Sequence, residues 1–361
     1  MAEKLGFKGI PQPSRIKRQT FFDINLYQRY ELQYALKKLL SRKNNYCYFV
    51  IMIKEGIVYY STGSNYRVKS DGVFYKCKIK GRLRIKQIET TNPVAVGDKV
   101  SFYIEKNKKS KLGLISEVKD RNNYIIRKSV NLSKQFHIIA SNIDQVFLMV
   151  TIKEPKTFTS FIDRFLVTAE AYKIKVIILF NKIDIYSNDE YKQLEILNNI
   201  YSEIGYDCFQ INARKKTTLK EIICLMKNKT NMFSGNSGVG KSTLINTLFP
   251  ELKLKTIEIS NTHKQGKHAT TFSEMHDLYD GIKIVDTPGV KSFGIVDINP
   301  KELSNYFPEF LALKSNCKFN NCMHLKEPNC AIKLGLEKKI ISQTRYDSYI
   351  DLIQKDNYKI R

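Results

Sequence analysis

The sequence predicts a multi-domain chain of three parts: a small all-β barrel, a larger doubly wound α/β domain, and a small, mostly helical, metal-binding unit at the end. Three observations lead there. Short strand-like runs between residues 56 and 118 are separated by turn signals. From about Asp144 to Val296, apolar β-branched runs alternate with amphipathic helical patterns, the mark of a parallel sheet covered by helices. Beyond residue 297, cysteine and histidine crowd into one short segment. At 361 residues the chain is long enough for such a division.

In the first part, residues 56–118, the turns fall at Ser70-Asp71-Gly72, Asn92-Pro93 and Gly97-Asp98. The strand from Val73 to Lys80 places Lys76, Lys78 and Lys80 on one face and Tyr75, Cys77 and Ile79 on the other. A row of cations, with Tyr66 and Phe74 nearby as stacking surfaces, can follow an RNA backbone. A solvated strand face fits the same alternation. A connector, 119–143, leads into the α/β domain, 144–296.

That domain carries three motifs in an unusual order. Asn181-Lys182-Ile183-Asp184 comes first, Gly235-Asn236-Ser237-Gly238-Val239-Gly240-Lys241-Ser242 second, and Asp286-Thr287-Pro288-Gly289 last. The middle motif is a phosphate loop. Gly235 and Gly240 let backbone N–H groups turn inward around a phosphate chain, where a side chain would crowd the approach. Lys241 reaches the β- and γ-phosphates, Ser242 offers its hydroxyl to Mg²⁺, and the run from Ser242 and Thr243 to Leu248 opens a helix whose N-terminal dipole favours the anion.

Asn181 to Asp184 follows Lys175–Phe180, an apolar run that reads as a buried parallel strand, and ligands bind at the carboxyl ends of such strands. The Asp184 carboxylate can accept from both N1–H and the 2-amino group of guanine. Asn181 braces the loop and hydrogen-bonds the base, and the stem of Lys182 covers the ring. The third motif ends the strand Ile282–Val285 and puts Asp286 where a carboxylate holds the Mg²⁺ water shell, with the Gly289 N–H on the γ-phosphate. Between the second and third motifs, Gly266 to Thr271 offers switch threonines, and a flexible polar loop fits the same residues. A base reader that precedes the phosphate loop makes this a circularly permuted P-loop GTPase domain, which is feasible because compact domains bring their termini together. Val290 stands where Ras-like enzymes carry a water-orienting glutamine, so slow intrinsic hydrolysis is expected.

The last part, 297–361, holds a helical segment around Lys301 to Phe310 and a final helix from about Leu336 to Lys355. Between them lies Cys317-x4-Cys322-x-His324-x5-Cys330. Three thiolates and one imidazole complete a tetrahedral Zn²⁺ shell with no open position, so one structural zinc per chain is expected; buried free thiols are the alternative. Cys47, Cys77, Cys208 and Cys224 are dispersed and read as core residues in a reducing compartment.

Composition agrees with a polyanionic partner. Lys and Arg total 60 against 35 Asp and Glu, a formal charge of +25. No apolar run approaches the roughly 20 residues that span a bilayer, and no secretion-signal core is present at the start. A cytoplasmic protein with no membrane partner is expected, and a monomer. The first 55 residues are basic, with one candidate amphipathic helix from Glu31 to Leu40; an RNA-binding arm, a transit-like segment and a mistaken start all fit.

With these motifs assembled, the chain resembles the ribosome-small-subunit-dependent GTPase A family. The match runs from about Gly56 to the end and includes Asn142-Ile143-Asp144-Gln145, Ile162-Asp163-Arg164-Phe165-Leu166 and the zinc signature. The resemblance implies an OB-fold for the barrel, and binding of the small (30S) subunit and its rRNA late in maturation. It also implies GTP hydrolysis to GDP and phosphate that the subunit accelerates, followed by release. It implies further that Asn212-Ala213, in place of the usual Ser-Ala, supplies the contact to guanine O6. Ala269 replaces one switch threonine; Thr271 is chosen over Thr270 for Mg²⁺, and His268 matches a family position that is either catalytic or an idle switch residue. Two other functions compete with a ribosome-timed hydrolase: a nucleotide-sensing RNA-binding module with negligible hydrolysis, and a permuted GTPase of the large subunit.

Overall fold

The structure is a computed structural model that describes residues 51–79, 92–105, 112–128, 136–253, 273–286 and 298–357, all within the compact unit Ile51–Arg361. The expected helix from Glu31 to Leu40 lies outside the described residues, as do Lys80, Gly266 to Thr271 and Thr287 to Val290.

The barrel is built from β1 (Ile51–Ser61), β2 (Tyr66–Ser70), β3 (Val73–Ile79), β4 (Lys99–Glu105) and β5 (Leu112–Val118). Their order is β1-β2-β3-β5-β4, and β4 pairs back with β1, so the sheet closes and leaves no edge of its own. Alternation decides what faces inward. Val58, Val68, Cys77, Val100, Phe102 and Ile115 form the core, while Lys76 and Lys78 stand exposed on the outer face of β3. Asp71 and Gly72, both at positive φ, make the tight β2–β3 turn. Gly113 is required by close packing, since a Cβ there would lie 2.6 Å from the Cys77 sulfur.

The connector has secondary structure of its own. It contains a hairpin of β6 (Tyr124–Lys128) and β7 (Phe136–Ser141). Asp98, fully buried, fastens this hairpin to the barrel by accepting from both Nε and Nη2 of Arg121 at 2.6 Å, from Ser141 Oγ at 2.6 Å and from the Ala95 N–H at 2.8 Å.

The α/β domain follows as β8 (Gln145–Val150), α1 (Thr159–Ala171), β9 (Lys175–Phe180), α2 (Asn188–Ile204), β10 (Asp207–Gln210), α3 (Lys220–Met226), β11 (Thr230–Ser234), α4 (Lys241–Leu248), β12 (Glu274–Asp277) and β13 (Lys283–Asp286). The sheet order is β10-β9-β8-β11-β13-β12, parallel except for β12. Val146, Leu148 and Val150 of β8 pack with Ile162, Phe165 and Leu166 of α1. Phe147 and Met149 face the other way, among Ile222 of α3 and Leu244 of α4. That two-sided burial is why these strands read as continuous apolar runs. A complete Ser187–Glu190 capping box starts α2, and Gly205 at φ +108° ends it.

The final part holds α5 (Pro308–Leu313), α6 (Ala331–Glu337) and α7 (Gln343–Asn357). The single helix expected from Leu336 to Lys355 is two. Lys339 turns left-handed at φ +59°, and the N–H groups of Ile340 and Ile341 return to the Gly335 carbonyl, which closes α6 before α7 begins. Cys224 also departs from expectation: it is exposed on α3, whereas Cys77 is buried and Cys208 half-buried.

Candidate functional site

The base-reading and phosphate-binding motifs meet at one edge of the sheet because β9 and β11 both flank β8. Asn181, at the end of β9, is the joint between them. Its amide Nδ2 donates to the Val239 carbonyl of the phosphate loop at 2.7 Å, and its Oδ1 accepts from the Ala213 N–H at 2.9 Å. With 2 % of its surface exposed, Asn181 is a buried bracket on which all three loops depend. Asn212 shapes the third loop by accepting from the Arg214 N–H at 2.9 Å. Ala213, which with Asn212 forms the pair expected to supply the contact to guanine O6, donates its N–H to Asn181 Oδ1.

Lys182 sits left-handed at φ +67°, which turns the chain so that Asp184, in the short 3-10 turn Ile183–Ile185, is exposed at the rim. The Lys182 ammonium donates to the Glu154 carbonyl. Its pKa is lowered by burial, with Arg214 adding to the effect. Tyr186 was not legible as a site residue from sequence. Its hydroxyl donates to the Asn181 carbonyl and accepts from the Ile152 N–H at 2.9 Å, and Tyr191 donates to the Ile183 carbonyl at 2.6 Å.

In the phosphate loop, Gly235 (φ +139°) and Gly240 (φ +102°) adopt backbone conformations that only glycine takes without strain. A Cβ on Gly240 would also meet Asn181 Nδ2 at 2.5 Å. Lys241 heads α4, and its Nζ donates to the Gly235 and Asn236 carbonyls, each at 2.7 Å. Ser237 is exposed at the loop's crest, whereas Val239 is buried in the core beneath it. Asp286 ends β13, directly opposite Glu274 of β12. The Ser242 hydroxyl and the Asp286 carboxylate are oxygen donors of the kind Mg²⁺ takes and would be candidates to hold it and its water shell; bound with nucleotide, it would neutralise charge on the phosphate oxygens. His268, Thr270, Thr271 and Gly289 lie outside the described residues.

The second centre lies in the last domain. The ligand atoms of Cys317, Cys322, His324 and Cys330 all lie within 4.8 Å of one another. His324 Nδ1 is 3.7 Å from the Cys317 sulfur and 3.4 Å from the Cys330 sulfur, spacings that suit a tetrahedron with Zn–S near 2.3 Å. Burial pushes the Cys322 thiol up to about 12, a penalty that a bound cation would reverse. The cradle is held by residues sequence reading missed. Glu327 accepts from the N–H groups of Met323 and Leu325 at 2.8 Å and of Lys326 at 3.1 Å. Tyr346 donates to the His324 carbonyl at 2.7 Å and Tyr349 to the Met323 carbonyl at 2.9 Å.

A buried network ties this domain to the α/β domain. Arg345 of α7 donates to Asp163 of α1 at 2.8 Å and to Glu309 at 2.7 Å, and both Arg345 and Asp163 are fully buried. Tyr201 and Ser348 add donors to Asp163. The Asp163-Arg164 pair was legible as part of a motif, but the partnership with Arg345 was not. Among the described residues no helix is long and apolar enough to cross a membrane.

Comparisons agree with this geometry. The RsgA GTPase family model matches residues 118–296 and the RsgA N-terminal domain model matches 55–112. A protein from Christiangramia forsetii named small ribosomal subunit biogenesis GTPase RsgA is 54% identical over 309 residues, 85% of this chain and 98% of that one. The crystal structure of YjeQ from Thermotoga maritima matches with a TM-score of 0.68 and 31% identity, covering 84% of this chain and 98% of that chain. YloQ, described as a circularly permuted GTPase, matches at 0.66 and 30% identity, covering 88% and 99%. A chain that carries the permuted order in its own sheet, and aligns with such relatives over nearly their whole length, belongs to the RsgA GTPase family.

Proposed function

We propose that the protein hydrolyses GTP to GDP and phosphate, and that it acts in the biogenesis of the small ribosomal subunit by binding the subunit's rRNA late in maturation and leaving after hydrolysis. The observation that carries the enzymatic part is the Asn181 bracket, which joins the guanine-reading loop to the phosphate loop in one rigid site. The ribosomal part is supported by the similarity to small ribosomal subunit biogenesis GTPases and by the charge of +25.

In this reading Asp184 selects guanine, the loop Gly235–Gly240 cradles the phosphates, and Lys241 places its charge on the β/γ oxygens where negative charge grows during transfer. Asn212 and Ala213 shape the base pocket, and Asn236 to Ser242 with Thr243 line the phosphates. Ser242 and Thr271 would hold Mg²⁺ and Asp286 its water shell, while Gly289 senses the γ-phosphate. Zn²⁺ is structural, held by Cys317, Cys322, His324 and Cys330. Lys76, Lys78 and Lys80 contact RNA. The protein works as a cytoplasmic monomer.

Turnover of GTP measured alone, with purified small subunits and with large subunits tests the reading. Slow basal hydrolysis, stimulated by small subunits only and abolished by Lys241→Ala, is the expected result. His268→Ala should lose mainly the stimulated rate. Equal rates in all three conditions would overturn the ribosomal role and leave a nucleotide-sensing RNA-binding module.

A further inference from the structure

The barrel and the α/β domain share one continuous sheet. Its strand order passes from β13 through β12 to β1 of the barrel, joined where Tyr60 lies opposite Glu274. Around that joint the registers align in a single row. Lys76 of β3 faces Arg67 of β2, Arg67 faces Tyr60 of β1, Tyr60 faces Glu274 of β12, and Glu274 faces Asp286 of β13. Directly opposed residues of an antiparallel ladder project to the same side. The row therefore runs from an exposed barrel lysine to the candidate magnesium-holding carboxylate.

Charge along this row runs from basic at the barrel end to acidic at the β13 end. Arg67 is ion-paired with Glu274 and stacks over the Tyr60 and Phe74 rings at 5.7 and 5.2 Å. Beside it, Lys69 is paired with Asp277, which also accepts from Tyr59 at 2.6 Å. Glu274 and Asp286 are acidic residues placed directly opposite, and Arg67 pairs with the Glu274 member. The Arg67 side chain is 42% exposed, and its Nε is buried with no partner among the described residues. An ion pair this exposed contributes little, whereas phosphate binds guanidinium strongly and in a bidentate fashion.

We propose that Arg67 is shared between Glu274 and the phosphate backbone of RNA. RNA on the barrel face beside Lys76 and Lys78 draws Arg67 away from Glu274. The uncompensated Glu274 carboxylate then adds negative potential beside Asp286 and strengthens divalent-cation binding there. RNA occupancy is thereby reported to the nucleotide site through one cross-strand row. The inference rests on the RNA-binding reading above and adds its route.

The test uses the full chain, purified small subunits, and a mant-labelled guanine nucleotide whose fluorescence follows Mg²⁺ binding. In the unmodified protein, subunits should lower the Mg²⁺ midpoint about threefold, as one added charge several ångströms away predicts. Arg67→Ala should start at the lowered midpoint and Glu274→Gln at or above the resting one, and neither should shift when subunits are added. The opposite offsets separate a charge relay from damaged folding, which would move both variants the same way; Arg67→Lys should restore part of the response. Subunit affinity should rise severalfold in Glu274→Gln, and in Arg67→Ala the slope of log affinity against log salt should shrink by about 1. A subunit-induced shift that survives in both variants, or an unchanged salt slope in Arg67→Ala, overturns the proposal. Subunits that fail to bind at all would defeat the ribosomal reading instead, and equal midpoints for the two variants without subunits would still overturn the relay.

Discussion

In the proposed nucleotide site, single residues are assigned to specificity by different means. Asp184 is exposed and free to meet a base, so Asp184→Asn should weaken GTP binding about 10- to 100-fold by losing charge-assisted hydrogen bonds, and should favour XTP. Titration with GTP, XTP and ATP reads this, and unchanged GTP preference would remove Asp184 from the base site. Tyr186 acts at one remove, since its hydroxyl ties the Asn181 carbonyl to the Ile152 N–H. Tyr186→Phe should cost about 1 kcal/mol of guanine-nucleotide affinity, seen as faster nucleotide release, while the preference for guanine over xanthine stays intact. The difference between these residues explains what the sequence made legible. Asp184 belongs to a contiguous tetrapeptide whose spacing is its signal. Tyr186 matters through the backbone atoms its hydroxyl reaches, and no spacing rule encodes that.

At the scale of elements, the strands of the α/β domain were readable because burial on both faces leaves little but apolar side chains in β8 and β9. The hairpin of β6 and β7 was not, because it is fastened to the barrel by buried Asp98, which accepts from Arg121 and from Ser141 of β7, polar residues distant in sequence. The break between α6 and α7 escaped for a related reason: Lys339 adopts a positive φ that no glycine announces. The zinc loop shows both cases at once. Its ligands follow a recognisable spacing, but the turn through Met323 and His324, the latter at φ +57°, is held by Glu327, Tyr346 and Tyr349. Glu327→Ala should therefore lower zinc affinity about tenfold without touching a ligand, measured by competition with a chromophoric chelator. Affinity equal to that of the unmodified protein would mean that the metal alone shapes the loop.

Across the whole molecule, the α/β domain meets its neighbours through two seams of different character. The seam to the zinc domain is buried, with Arg345 locked between Asp163 and Glu309. Removing Arg345 leaves two carboxylates buried without their cation, so Arg345→Ala should cost about 3–5 kcal/mol. Thermal unfolding monitored alongside zinc content would locate that loss in the α1–α7 contact. A change below about 1 kcal/mol would mean that water reaches the site and the seam is looser than its burial implies. The seam to the barrel is half-exposed and ionic, built from Arg67, Lys69, Glu274 and Asp277. Domain order was legible from motif order, whereas the unequal strength of the seams was not, because it depends on which charges are removed from water.

The barrel seam also sets an order in time. Arg67 and Glu274 are 207 positions apart, so a chain emerging from its own ribosome completes the barrel long before β12 exists to receive it. The strands β1 to β5 close on one another through contacts within the first part of the chain, and domains fold as units during synthesis. Until β12 is made, the cations of β2 have no acidic strand to dock against. The junction must close across the greatest loop separation of the shared sheet, which makes it a slow, late event in folding. A nascent chain halted before Ser273 would thus carry a finished barrel with Arg67 and Lys69 lacking their β12 partners, and only the final stretch of translation would join the two halves.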